Sequence, residues 1–432
     1  MTLVSELELR SFDHTDPELR GERFHEAMAA ARDPAGADER AVAEGGVWLA
    51  QAPFGYMTLD RESGEFFLRT RKAIFPGMKI AEIFGVSEGP LYEQMRRNIL
   101  HVNGADHTRL RSLVNPALSP RAVERYRPAM REFLDELLAQ ATAGASEGEQ
   151  VRCDFVEAFA KPYPSLAIAT VMGAPLQDAP RLHHWSNVIQ RQFDAVSMAS
   201  EIEVIDEAVG EFYEYAQALV KARREDPSDD LISKLIAATA ASEDGEQLER
   251  LSDVECINLV FNVLVGGVDT SQSQLAHAIR LLAEHPEQLA LLARSPELAD
   301  AAVEEALRYE PITPFTARIL VEDVEHRGVE FPQGTVVMVC AFTGNRDLEP
   351  QAAGERGAEA FDITAQRGRA RPLTFGAGVH YCLGANLARV ELQEGLAFLS
   401  QRLQGLRLDG EPVFEGVSGI YGLAELPIAF TA

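Results

Sequence analysis

The run from Phe375 to Arg389, FGAGVHYCLGANLAR, sets one cysteine, Cys382, among Gly376, Gly378 and Gly384, with a helical pattern beginning at Ala385. Glycine admits positive φ and lets several backbone N–H groups crowd around a single atom. A thiolate at the mouth of a helix also gains from the positive end of the dipole, which lowers its pKa. The loop therefore suits one sulfur held as an anion with amide donors aimed at it, as an iron-ligating thiolate requires. Other readings stay open on these residues alone. A phosphate loop would want Lys followed by Ser or Thr, and neither follows. A nucleophilic cysteine could pair with His380, though it has no need of three glycines. Any single glycine could mark a structural turn.

A second constellation lies on a long helix. Ser252 with Glu255 three residues on forms a capping box, so the helix starts there and runs to His285, where Pro286 stops it. At 1.5 Å per residue its length is about 50 Å. The middle, Leu259 to Val268, is apolar on nearly every side, which implies burial all round. Within it sits Gly266-Gly267-Val268-Asp269-Thr270-Ser271. The glycines cost about 1 kcal/mol each relative to alanine, and a buried acid is costly without a partner. A threonine hydroxyl can replace a helical hydrogen bond and open space for a small molecule or water. An acid and an alcohol beside a helix defect are useful for relaying protons. A kink filled by a neighbouring side chain would explain the glycines but not Asp269 and Thr270.

These residues resemble a known family. Phe375, Gly378, His380, Cys382 and Gly384 fill every required place of F-x-x-G-x-(H/R)-x-C-x-G, the haem-binding signature of the cytochrome P-450 superfamily. Gly266, Gly267, Asp269, Thr270 and Ser271 are similar to its oxygen-activation motif, (A/G)-G-x-(D/E)-T-(T/S). Glu305 and Arg308, three apart on a helix after Ser295-Pro296, would alone read as a solvated surface pair. Within the resemblance they match the family's buried structural E-x-x-R. The family often adds an arginine before the phenylalanine matched by Phe361; Ala360 stands there, leaving Arg356 or Arg367 to substitute.

The resemblance implies a single domain over residues 1–432, mainly α with a small β-rich portion, a triangular helical prism around a buried haem b. It implies a monooxygenase that inserts one atom of O2 into a largely apolar small molecule. Electrons would come from a ferredoxin or flavodoxin with its NAD(P)H reductase, since no flavin or nicotinamide pattern occurs. Cys382 is the expected iron ligand, beside Phe375, Gly376, Gly378, His380 and Gly384. His107, Arg111, Arg318 and His380 match residues that hold the haem propionates, which need cationic or donor partners. Asp269 and Thr270 are expected to deliver protons. Val265, Gly266, Ile312, Phe315 and Ile420 match substrate-facing positions, with Thr313, Thr316 and Tyr421 able to bind an oxygen and Arg71, Lys72 or Lys79 to capture an acid. Arg367, Arg369 and Arg371 read as a docking patch for an acidic electron donor. Peroxide-driven or isomerising haem-thiolate chemistry and a haem sensor without turnover are the rival readings.

Composition bounds the rest. The chain has 432 residues and a formal net charge of -27, which disfavours nucleic acid and anionic lipid as partners. Met1 to Arg10 has no signal-peptide pattern, and the longest apolar stretch, Cys256 to Val268, is short for a membrane span, so the cytoplasm is expected. The four cysteines stand no closer than 42 residues apart, so no disulfide framework or zinc ribbon is supported. Apolar residues at three- and four-residue spacing predict helices over Ala129–Ala141, Glu203–Arg224 and Ala301–Tyr309. Short β-branched runs predict strands at Arg318–Val321, Gly328–Phe331 and Val336–Ala341, and again within Val413–Phe430. Gly344 to Thr374 reads as a long functional loop, and His183-His184 as surface polar residues.

Overall fold

The computed structural model describes residues 2–241, 248–348, 356–368 and 371–431, so Arg369 lies outside the described residues. In chain order the helices used below are α1 (Gly89–Arg97), α2 (Gly104–Val114), α3 (Pro162–Met172), α4 (Ala179–Gln190), α5 (Ile202–Glu225), α6 (Asp253–Gly267), α7 (Asp269–Glu284), α8 (Ala299–Tyr309) and α9 (Ala385–Arg402). The chain folds into two compact units, each assembled from separated stretches of sequence.

One unit comprises Met1–Pro76, Asp300–Cys382 and Phe414–Leu423. Its centre is a five-stranded sheet of β1 (Leu49–Ala52), β2 (Gly55–Thr58), β3 (Ala73–Ile74), β4 (Phe315–Leu320) and β5 (Val336–Cys340), in the order β1-β2-β5-β4-β3. β5 runs antiparallel to β4 and parallel to β2, with Val337 opposite Tyr56. Side chains alternate across the pleat. Val337 and Val339 face a core with Trp48, Phe67 and Phe331. Met338 and Cys340 face another with Phe24, Met57, Phe342 and Tyr421. The strands expected after Pro311 are all present, at slightly shifted bounds; β1, β2 and β3 were not expected.

The other unit comprises Gly77–Ala299, Leu383–Val413 and Ala424–Ala432. It is helical apart from short strands, chiefly a three-stranded sheet of Gln150–Asp154, Gln404–Leu408 and Pro427–Thr431. Helix α6 packs against α4 and α5, and α7 packs against α9. The capping box is formed: Ser252 Oγ accepts from the Glu255 N–H and Glu255 Oε2 accepts from the Ser252 N–H. α6 and α7 run on as one rod from Asp253 to Glu284, broken at Val268 (φ -93, ψ -70). This rod is long and apolar enough to cross a bilayer, but 67% of its apolar window is buried inside the protein, as a core helix is.

Candidate active site

The cysteine loop is built on two left-handed glycines. Gly376 has φ +69 and Gly378 φ +73. A Cβ on Gly378 would stand 2.5 Å from the Leu68 carbonyl oxygen, so no other residue fits there. Gly384, by contrast, N-caps α9 at φ -84 and has no need of positive φ. The Cys382 N–H donates to the Phe375 carbonyl at 2.9 Å, closing the loop on itself. The Phe375 ring sits 6.3 Å from that of Tyr381, and His380 ends a tight turn from Gly378. None of the four cysteines forms a disulfide. Burial pushes the Cys153 thiol up to about 11 and the Cys256 thiol up to about 12, which makes both inert.

In the same unit, Glu305 on α8 holds two arginines. Arg308 donates from Nε and Nη2 to its two carboxylate oxygens at 2.8 and 2.7 Å. Arg367 does the same at 3.1 and 2.6 Å, and the Asp362 N–H adds a fifth donor at 2.9 Å. Both arginines then tie down the loop through the Ala360 carbonyl. Burial pushes the Glu305 carboxyl up, and the hydrogen bonds from Arg308 and Arg367 outweigh it and hold it below its ordinary value. Arg367 thus supplies the arginine missing at Ala360. It is committed to Glu305 with little exposure, and this corrects its assignment to a docking patch.

Arg318 on β4 is a buried guanidinium that, among the described residues, donates only to the Ala317 carbonyl. No carboxylate lies within ion-pair distance of it among the described residues, and burial pushes its pKa down to about 10. A buried cation in that state calls for an anion from outside the protein, as a haem propionate would be. The expectation that Tyr421 binds a substrate oxygen needs correction. Tyr421 is fully buried, its hydroxyl accepts from the Gly21 N–H at 2.9 Å, and its ring stacks on Phe414, so it is a core residue. Phe315 packs its ring against Phe12, His14 and Phe24, and Ile312 is buried, whereas Ile420 is partly exposed.

In the helical unit, the rod is open where its motif stands. Thr270 Oγ1 donates to the Gly266 carbonyl at 2.6 Å, a turn earlier. A Cβ on Gly266 would meet nothing within 4 Å, whereas one on Gly267 would stand 2.4 Å from Ile168 Cδ1 of α3. Gly267 therefore permits close helix packing, and Gly266 leaves a free face. Asp269 is buried at the first turn of α7, where the dipole favours an anion, and Val265 is buried beside it. His107 and Arg111 lie four apart on one face of α2; burial, then the Arg111 charge, lowers the His107 pKa. His184 is exposed as expected, but His183 is half-buried and bonds Gln272 at 2.8 Å. Lys79 is already paired with Glu82.

Sequence reading missed Glu391. It stands fully buried on α9 and accepts from Ser271 Oγ at 2.8 Å. The signal was an acid among Leu387, Val390 and Leu396 on the apolar face of α9. Asn258 and Asn262 also stand within the apolar stretch of α6.

The chain matches the family described as Cytochrome P450 over residues 85–294 and 295–412. It is 34% identical to the luteothin monooxygenase of Streptomyces thioluteus over 388 residues, 89% of this chain and 90% of that protein. It is 36% identical to the mycinamicin IV hydroxylase/epoxidase of Micromonospora griseorubida over 318 residues, 73% of this chain and 75% of that protein. The crystal structure of CalO2 shares its fold with a TM-score of 0.82 at 30% identity, covering 98% of this chain and 99% of that one. The chain belongs to the cytochrome P450 family, and is a mainly helical, haem b-dependent monooxygenase. Bacterial members generally act on apolar substrates and draw electrons from ferredoxin and reductase partners.

Proposed function

We propose that Cys382 would hold the haem iron as a thiolate in this monooxygenase, that Arg318, His380, His107 and Arg111 would hold the propionates, and that Asp269 and Thr270 serve proton delivery. Bound haem supplies the activation of O2 by which one oxygen atom enters the substrate. The observation that carries the reading is the break in the rod: Gly266 leaves a free helix face and Thr270 Oγ1 is anchored on its carbonyl. With its proton engaged by the Gly266 carbonyl, the Thr270 oxygen turns its lone pairs to the open face and holds a proton donor such as a water there. Asp269, buried one residue before it, relays protons toward that face.

The substrate is a neutral, largely hydrocarbon molecule, such as a terpenoid, steroid or macrolide-like compound. Buried Val265 and Ile312 bring no charge to it, and a carboxylate there would cost several kcal/mol without a partner. Two relatives bear the names of luteothin and mycinamicin IV, which support a small-molecule substrate. The electron donor is a ferredoxin or flavodoxin with its NAD(P)H reductase, and the working place is the cytoplasm. The whole chain works as one domain, because each compact unit is completed by segments from both sides of the other in sequence.

Replacing Thr270 tests the proton-delivery role. In Thr270→Ala, haem content and substrate affinity should stay as they are, while product formed per NAD(P)H falls several-fold and hydrogen peroxide rises. Thr270→Ser should recover part of the yield. Unchanged yield in Thr270→Ala removes the residue from proton delivery.

A further inference from the structure

Within the apolar run from Cys256 to Val268, only Asn262, Gly266 and Gly267 are not buried. Asn262 and Gly266 stand four apart and so share a face of α6, the face on which Gly266 meets open space. Side-chain amides run up this face. Asn258 Nδ2 donates to the Val254 carbonyl at 2.7 Å, and Asn262 Nδ2 donates to the Asn258 carbonyl at 2.7 Å. A backbone carbonyl only accepts, so the group turned toward it must be the NH2 and the orientation of each amide is fixed. Asn258 Oδ1 accepts from the Tyr213 hydroxyl. Asn262 Oδ1 takes no hydrogen bond from any described residue.

That oxygen belongs to a residue lining a cavity of about 50 Å³ with apolar walls from Ile99, Leu110 and Leu259. A single water needs at least ~10–15 Å³ of such space, so a hydroxyl-bearing tip fits. The charged residues at its edge are already committed, Arg97 to Glu93 and Glu255 to Arg109 and the Ser252 cap. Asn262 thus offers an acceptor, Oδ1, beside the second proton of its NH2, so the amide suits a hydroxyl, which both donates and accepts, better than an ether or a carboxylate, which only accept. The site is selective because a desolvated acceptor left unpaired is costly.

We propose that Asn262 is a specificity-determining residue that binds a hydroxyl on an otherwise hydrocarbon substrate. Two helical turns separate Asn262 from Thr270, about 12 Å along the axis. The substrate therefore carries its hydroxyl about that far from the end presented to Thr270. The assignment rests on the neutral-substrate reading above and adds the polar group and its place.

The test uses the haem-loaded protein with androstanol, its methyl ether and a matched steroid carboxylic acid, binding being followed by the ligand-induced absorbance change. Wild type should bind the alcohol about tenfold tighter than the ether, the worth of one hydrogen bond to a neutral group. Asn262→Leu and Asn262→Ala should each lose that preference while binding the ether as well as before, with haem content unchanged. Equal binding of alcohol and ether by wild type, or a preference that survives in both variants, overturns the role of Asn262 and leaves the neutral-substrate reading standing. Tighter binding of the acid than of either neutral probe overturns both.

Discussion

Arg367 closes on Glu305 with two parallel hydrogen bonds, at 2.6 and 3.1 Å, from 62 residues further along the chain. The carboxylate is thereby shared between two guanidiniums in a buried site. Charge-assisted, forked pairs of this kind are the strong members of their class. Removing Arg367 leaves Glu305 with Arg308 and takes from the Ala360 carbonyl one of its two arginine donors.

Arg367→Leu should therefore cost about 1.5–3 kcal/mol, the worth of hydrogen bonds to a charged group. Arg308→Leu should cost more, about 3–5 kcal/mol, because Arg308 is the more deeply buried partner. Arg367→Lys should rescue little, since an ammonium cannot reproduce the fork. Denaturant midpoints and haem content of the three variants check this. Wild-type stability in Arg367→Leu would contradict the network.

Glu391 gives the protein a pH-dependent term. Burial pushes its carboxyl up to about 8 from the ordinary 4.5, with the Ser271 hydrogen bond pulling against the shift. The folded state thus keeps a proton that the unfolded state releases. The stabilising contribution is full below the ordinary value and is lost as pH rises through it toward about 8. Glu391→Gln keeps the shape and removes the titration, so its melting temperature should fall less than that of wild type across that window. Parallel pH profiles would show Glu391 already ionised.

The glycine pair separates packing from access. Gly267→Ala should lose stability, because its Cβ would stand 2.4 Å from Ile168 Cδ1. Overpacking of this kind costs about 1–3 kcal/mol, against about 1 regained in helix propensity. Ile168→Val removes the clashing methyl, so the double variant should be more stable than the two single effects predict together. Gly266→Ala meets no protein atom and should be at least as stable as wild type. Additive losses in the double variant would show that Ile168 is not what Gly267 accommodates.

What the sequence made legible was local. The Ser252 cap, the break around Gly266 and Thr270, the cysteine loop and the Glu305–Arg308 pair each depend on residues within a turn or a loop of one another. What it hid depends on closure over long separations. β5 takes β2 as a parallel neighbour across some 280 residues of chain, with Val337 opposite Tyr56. Nothing in the short run Gly55–Thr58 announces that partner. Arg367 could be named only as one of two substitutes for the arginine absent at Ala360, because a flexible side chain at the end of a loop carries no periodicity. Tyr421 looked like a substrate contact from its neighbours in sequence; the Gly21 N–H that occupies its hydroxyl comes from 400 residues away.

The central claim is that Cys382 binds the iron as a thiolate. The absorbance spectrum of the reduced, carbon monoxide-bound protein reads that ligand directly. Wild type should show the strongly red-shifted Soret band of thiolate ligation, and Cys382→Ala should lack it, whereas Cys153→Ala, Cys256→Ala and Cys340→Ala should keep it. Persistence of the band in Cys382→Ala would contradict the account.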